Sequence, residues 1–401
     1  QRRPRAPGIV TRLGAVSASH RLAPQPGGRM PLIDVLKGLS CVLIVGHHLA
    51  FYGPMSDAAL PLAPQLIAWL YDYGRLAVQV FLVVAGYLAA SGLAPAGIAR
   101  FEQPWLQIGR RYSRLAIPYL LALGVSMLVA AAVRPWFSHE SVPDAPHLLQ
   151  VLSHVLLLQG LVGHDALSAG VWYIAIDFQL FVLAVLGLAG ARWVQQRLQV
   201  TVPLGHLGVW GVLGLMLASL FYFNLHSSLD DTALYFFGAY GLGMLAFWAG
   251  RSGQARGWLA ALALVGVATL LIEFRSRIAT AVAVALCLGA ATAWPRLQAQ
   301  FHSATRLRSL GQMSYSVFLI HFPVCLLVNA VVHELWPHQP WINLLGMGVA
   351  FCLSLGAGAW LYRHVEARPW GAWGAQKMAG IGMVLLPFLA VCAGFTWAFS
   401  Y

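Results

Sequence analysis

Residues 32–52 read LIDVLKGLSCVLIVGHHLAFY. At 1.5 Å per residue this stretch makes a helix of about 32 Å, matching a hydrocarbon core of about 30 Å. It is mostly aliphatic, yet it carries Asp34, Lys37, His47 and His48. The apolar length asks for a membrane-spanning helix. Ionisable groups inside such a helix cost about 3 kcal/mol each, and they mark a reaction site or a conduction route. Both the architecture and the chemistry are therefore sought outward from this segment.

The rest of the chain is made of the same material. Of its 401 residues 59% are hydrophobic and 9% charged, with mean hydropathy +0.70. A soluble domain has about a quarter of its residues charged, so this chain cannot coat itself for water. An all-α, polytopic membrane helix bundle is expected, with about eleven transmembrane helices near 32–52, 66–90, 112–133, 170–190, 204–224, 232–250, 257–273, 277–294, 311–332, 341–362 and 378–399. The shorter apolar run 147–162 reads as a helix at or within the outer interface. Residues 1–31 hold six arginines and five prolines without a long apolar run, and read as a disordered basic cytoplasmic tail. Residues 32–401 form a single transmembrane domain.

Charge fixes the expected orientation. Twenty of the 25 Lys and Arg fall in the tail and in alternate loops, from Arg100, Arg110, Arg111 and Arg114 through Arg192, Arg251 and Arg306 to Arg368 and Lys377. The intervening loops carry Asp57, Glu140, Asp144, Asp165, Asp230, Asp231, Glu273 and Glu334. The positive-inside rule then places the N-terminus in the cytoplasm. The net charge of +12 belongs to these loops, so no nucleic-acid partner is expected. The five cysteines lie in apolar runs without a CxxC spacing, which argues against a zinc site or a disulfide framework. No metal is expected.

Lys37 and His48 are eleven residues apart, about 20° from eclipsed and about 16 Å apart along a helix axis. Asp34 and Lys37 are i, i+3 neighbours and can pair. One stripe thus runs from an acid–base pair at the cytoplasmic end to a histidine deep towards the outer side. The alternative is an Asp–Lys pair that merely anchors the helix end. His47 points about 100° away from His48 and reads as structural, although neighbouring helices decide which ring meets a cavity.

The stretch IDVLKGLSCVLIVGHHLAFYG (33–53) resembles the opening helix of the membrane-bound acyltransferase 3 family, whose signature of Arg or Lys, ten residues, then His is matched by Lys37 and His48. Further family patterns recur in order. VQVFLVVAGYL (78–88) is similar to V-D-x-F-F-x-x-S-G-Y, and RRYSRLAIPY (110–119) to a basic R-x-x-R loop entering the third span. VWYIAIDFQLF (171–181) is similar to W-x-L-x-x-E, LGQMSYSVFLIHFPV (310–324) to L-G-x-x-S-Y-x-x-Y-L-x-H-x-P, and VEARP (365–369) to an E-x-P ending. Gln79 stands where the family often has Asp, Ala85 where it has Ser, and Asp177 where it usually has Glu. Ala85 removes any hydroxyl nucleophile there. The resemblance covers the membrane module without the SGNH-type domain that some members append.

The resemblance implies an acyltransferase of a bacterial inner membrane, moving an acyl group, commonly acetyl, from cytoplasmic acyl-CoA to a hydroxyl of an envelope glycan, a lipid-linked glycan or a related acceptor. In that light Arg110, Arg111 and Arg114 suit the phosphates of CoA, with loop anchoring as the alternative. His48 is the candidate general base, because imidazole is well matched to a hydroxyl proton near neutral pH. Lys37 and Asp34 would orient the donor or the first helix. His321, Asp177, Trp172, Tyr173 and Gln79 would line a cavity or lock helix packing, and Arg75 would bind an anionic acceptor or snorkel to the interface. A polysaccharide or lipid transporter that moves its substrate without CoA is the competing reading. So is a membrane scaffold.

Overall fold

The computed structural model describes residues 30–198 and 207–368, of which 79% are helical and none lies in a strand. Lipid offers no water to the backbone, so each amide must be satisfied within its own segment, and apolar runs of this length become helices. Helix α1 (Pro31–Phe51) leads through the short α2 (Met55–Ala59) to α3 (Pro64–Tyr73) and α4 (Ala77–Leu93), which are separated by a 3₁₀ turn at Gly74–Leu76. Then follow α5 (Pro104–Val133), α6 (Leu148–Val155), α7 (Val171–Leu198), α8 (Leu207–Phe221) and α9 (Ala233–Arg251). Helices α10 (Ala255–Ile272), α11 (Ser276–Ala293), α12 (Thr305–Leu335) and α13 (Pro340–Leu361) complete the described bundle, and α13 ends in a π-turn at Tyr362–Glu366. Pro64, Pro104 and Pro340 stand in the first turns of α3, α5 and α13, where a missing N–H leaves no bond unmade.

Ten helical segments are long and apolar enough to cross a membrane, with α3 and α4 together counted as one. They coincide with ten of the about eleven expected spans. The chain is a multi-pass membrane protein. The largest boundary differences are at the start of α5 and the end of α7, where the helix runs on past the apolar core into a basic extension. The expected span at 378–399 and the tail at 1–29 lie outside the described residues. The short apolar run after residue 147 does hold a helix, α6, whose first turn is capped by the His147 ring accepting from the Gln150 N–H at 3.2 Å.

Helix α9 is apolar around its whole circumference and is correspondingly enclosed, with 89% of its 18 most apolar consecutive residues buried among its neighbours α4, α8, α10 and α11. By contrast α10 is only 22% buried and turns Leu264 and Leu271 outward to lipid. Helices α1 and α12 run side by side in the same direction. A Cβ at Gly38 would strike the Leu307 carbonyl oxygen, and one at Gly311 that of Asp34, so the two backbones touch where only glycine fits. This contact fixes the register: Asp34 lies at Gly311, His48 at His321, and the Tyr52–Gly53 turn at Asn329. The 3₁₀ turn between α3 and α4 is pressed on α1 in the same way, since a Cβ on Gly74 would lie 2.7 Å from the His47 Cβ and 3.0 Å from the Leu43 carbonyl oxygen. Helix α1 starts at the lower end of the bundle, as the two ends are termed, and finishes at the upper end.

Candidate active site

Near the upper end, His48 of α1 and His321 of α12 meet with Nδ1 of the first 2.6 Å from Nε2 of the second. Their rings are 6° from parallel with centroids 4.8 Å apart. The nitrogens are much closer than the centroids, so the rings lie edge to edge in nearly one plane, as an in-plane hydrogen bond requires, and not face to face. His321 Nδ1 is also 2.8 Å from the Phe318 carbonyl oxygen, one turn earlier. A carbonyl can only accept, so His321 carries its proton on Nδ1 and its lone pair on Nε2. His48 Nδ1–H then donates to that lone pair. This network assigns His48 the tautomer whose free lone pair is on Nε2. His321 is fully buried, and His48 is 7% exposed.

The His48 ring lines a cavity of about 300 Å³ together with Ile44, His47, Phe51, Tyr52, Tyr71, Asp72, Arg75, Val78 and Trp172. Helices α1, α3, α4 and α7 each contribute a wall, and the Gly74 turn brings Arg75 into it. The neighbouring His47 is occupied differently: its Nδ1 donates to the Leu70 carbonyl at 3.0 Å, tying α1 to α3. On the other side of His48, Asn329 holds the end of α1. Its Nδ2 donates to the carbonyls of Tyr52, at 2.8 Å, and Gly53, while its Oδ1 accepts from the Met55 N–H at 3.0 Å. Asn329 follows His321 by two helical turns on the same face of α12. One helix therefore grips α1 both at the reactive ring and just past it.

A second polar group lies lower in the bundle. Arg111 of α5 reaches inward to Asp177 of α7 in an ion pair of 2.5 Å, with the guanidinium 5.4 Å from the Phe181 ring centroid. The phenols of Tyr173, Tyr240 and Tyr315 lie around it, and the buried phenol of Tyr119 lies next to that of Tyr315. Arg111 Nε, Asp177 Oδ1 and the Tyr119 hydroxyl are buried without a hydrogen-bond partner. At the lower end Arg110 and Arg114 are exposed. The charges of Arg114 and the half-buried Lys37 bear on the Glu366 carboxylate, to which Ser316 donates at 2.6 Å. Asp34 is buried, with Oδ2 unpartnered, beside the Gly38–Gly311 crossing.

The residues singled out in the sequence therefore sort by height. The structure brings His48, Arg75 and Trp172 together at the upper cavity, with the fully buried His321 hydrogen-bonded to His48 outside the cavity wall. Tyr173 packs behind them against Phe81 and Phe318, with ring centroids 6.1 and 5.4 Å away. Gln79 is buried within α4 but is not part of the cavity wall. Asp177 and Arg111 meet each other in mid-bundle. Asp34 and Lys37 stay at the lower end, about 21 and 16 Å along α1 from His48. Sequence reasoning missed Tyr52, Tyr71, Asp72 and Asn329. Asp72 was visible three residues before Arg75, whereas nothing in one sequence pairs Asn329 with a turn 276 residues earlier. Among the described residues no three His, Cys, Asp or Glu side chains converge as metal ligands would.

A multi-pass bundle in which a hydrogen-bonded histidine lines a cavity between helices is a setting suited to membrane-embedded group transfer. The chain belongs to the acyltransferase 3 family: residues 31–363 match its acyltransferase domain, from the first turn of α1 to the π-turn after α13. It is a membrane acyltransferase. The chain is also similar to "Regulator of hypoxia-inducible factor 1" of Caenorhabditis elegans, with 23% identity over 175 residues, 41% of this chain and 35% of that protein. The match thus spans about a third of that relative's length. No solved structure matches the chain.

Proposed function

We propose that the protein transfers an acyl group, acetyl in the simplest case, from acyl-CoA to a hydroxyl of an envelope glycan or lipid-linked glycan at a bacterial inner membrane, with His48 as the general base. The observation that carries this reading is the His48–His321–Phe318 chain of hydrogen bonds, which leaves His48, a ring that lines the cavity, as a neutral imidazole with its lone pair on Nε2. The acceptor hydroxyl gives its proton to His48 Nε2 as its oxygen attacks the thioester carbonyl. The C–S bond then breaks, and the imidazolium returns the proton to the departing thiolate. His321 stays neutral throughout, because among the described residues its further partners are backbone carbonyls, which cannot take a proton. Its role is to orient His48 and to stabilise the imidazolium.

The loop charges support an orientation in which the lower end faces the cytoplasm. Arg110 and Arg114, exposed there, are the guanidinium groups available to CoA phosphates, with Lys37 close by. Arg111, held by Asp177, makes a polar step between that end and the upper cavity. The exposed faces of Trp172 and Tyr71 and the carboxylate of Asp72 offer an acceptor sugar a flat apolar wall and a hydroxyl partner.

The test is turnover of radiolabelled acetyl-CoA by the purified full chain in nanodiscs, with and without envelope glycan extract. Thiol release matched by label on the glycan, with donor binding weakened in Arg110→Ala plus Arg114→Ala, is expected. If glycan or lipid moves across the nanodisc or vesicle membrane without thiol release, the transporter reading replaces this one.

A further inference from the structure

Attack on a thioester creates negative charge on the carbonyl oxygen, and the proposed base does nothing for that charge. The upper cavity contains one cation that can. Arg75 is in the cavity wall with His48, and its charge reaches the adjacent His47 ring. Among the described residues it makes no ion pair and no hydrogen bond, even with Asp72 three positions before it. A guanidinium has five N–H donors, accepts nothing and is charged at every working pH. Such a side chain usually finds a carboxylate or carbonyl, as Arg111 does with Asp177 and Arg134 does with the Pro143 carbonyl at 2.7 Å. The backbone that carries Arg75 is also fixed, because Gly74 is packed directly on the α1 backbone one turn from His48.

We infer that Arg75 is a catalytic residue of the acyl transfer, donating to the thioester oxygen as it becomes an oxyanion. As the acceptor oxygen bonds to the carbonyl carbon, the C=O π pair moves onto oxygen. The Arg75 N–H groups hold that charge until the pair returns and the thiolate leaves with its C–S electrons. His48 and Arg75 thus divide the work on opposite charges, one taking the proton and the other the oxyanion. Donors aimed at a developing oxyanion are worth about 10²–10³ in kcat. This assignment rests on the acyl-transfer reading and differs from an acceptor-binding role in one respect: it operates even when water is the acceptor.

The experiment is hydrolysis of acetyl-CoA by the full chain in nanodiscs, with water as the only acceptor, for the unaltered protein, Arg75→Met, Arg75→Lys and Arg75→Ala. Arg75 is exposed, so melting temperatures should be unchanged. We expect Arg75→Met to lower kcat at least about 100-fold with the KM for acetyl-CoA little altered, Arg75→Lys to retain part of the activity, and guanidinium ion to rescue Arg75→Ala. Hydrolysis at the original rate in Arg75→Met would overturn the assignment while leaving the acyl-transfer reading intact. A protein that neither hydrolyses acetyl-CoA nor acetylates added glycan extract would overturn both.

Discussion

The two polar pairs inside this bundle, His48 with His321 above and Arg111 with Asp177 below, solve the burial of polar groups in different ways. The histidine pair is neutral. Each contact in it is a hydrogen bond between neutral groups, at 2.6 and 2.8 Å, and one nitrogen lone pair, on His48 Nε2, is left over. The Arg111–Asp177 pair is ionic, at 2.5 Å, with side-chain exposures of 27% and 6%, and each partner leaves one atom unsatisfied. Neutral rings can be enclosed if their hydrogen bonds are made. An ion pair cannot lose one member without stranding a charge. The difference suggests a division in which charge fixes where α5 and α7 sit and neutrality keeps His48 able to accept a proton.

Substitutions in the two pairs should separate these roles. His48→Ala should lower acyl-transfer kcat about 10³-fold, whereas His47→Ala should lower it less than about 10-fold, because that ring is tied to the Leu70 carbonyl; steady-state thiol release reads both. Arg111→Ala should instead destabilise the fold by about 3 kcal/mol, seen in denaturation of the purified protein, and replacing both members together by Met and Leu should recover most of that loss. His321→Ala should cost about 10²-fold in kcat, since His48 is then free to adopt the other tautomer, with little change in the KM for acetyl-CoA. Asn329→Leu, which frees the end of α1, should cost about 10-fold in kcat. In a double-mutant cycle with His321→Ala it should show coupling of at least about 0.5 kcal/mol, where two unrelated structural effects would add.

Much of the architecture was legible because each span announces itself by apolar length, and the alternation of basic and acidic loops needs no partner to be read. The break at Gly74–Leu76 was not, since 64–93 is apolar on both sides of it and a 3₁₀ turn leaves no mark on hydropathy. His48 and His321 were each legible as family-like positions, but their hydrogen bond was not. It depends on the register of two helices 273 residues apart, set by the Gly38–Gly311 contact. Arg111 illustrates the converse. Its i, i+3 spacing put it on one face with Arg114, yet the structure turns it inward to an acid on another helix. Helical periodicity gives the direction of a side chain but not the neighbour that it meets.

The proposed chemistry depends above all on His321 holding His48 with its proton on Nδ1 and its lone pair on Nε2. Nitrogen-15 NMR of histidine-labelled protein in nanodiscs, with His48 assigned by its loss in His48→Ala, measures this directly. A protonated Nδ1 and a bare Nε2 on His48 are expected, with that pattern lost in His321→Ala. A His48 protonated on Nε2, or a spectrum unchanged by His321→Ala, would contradict the mechanism.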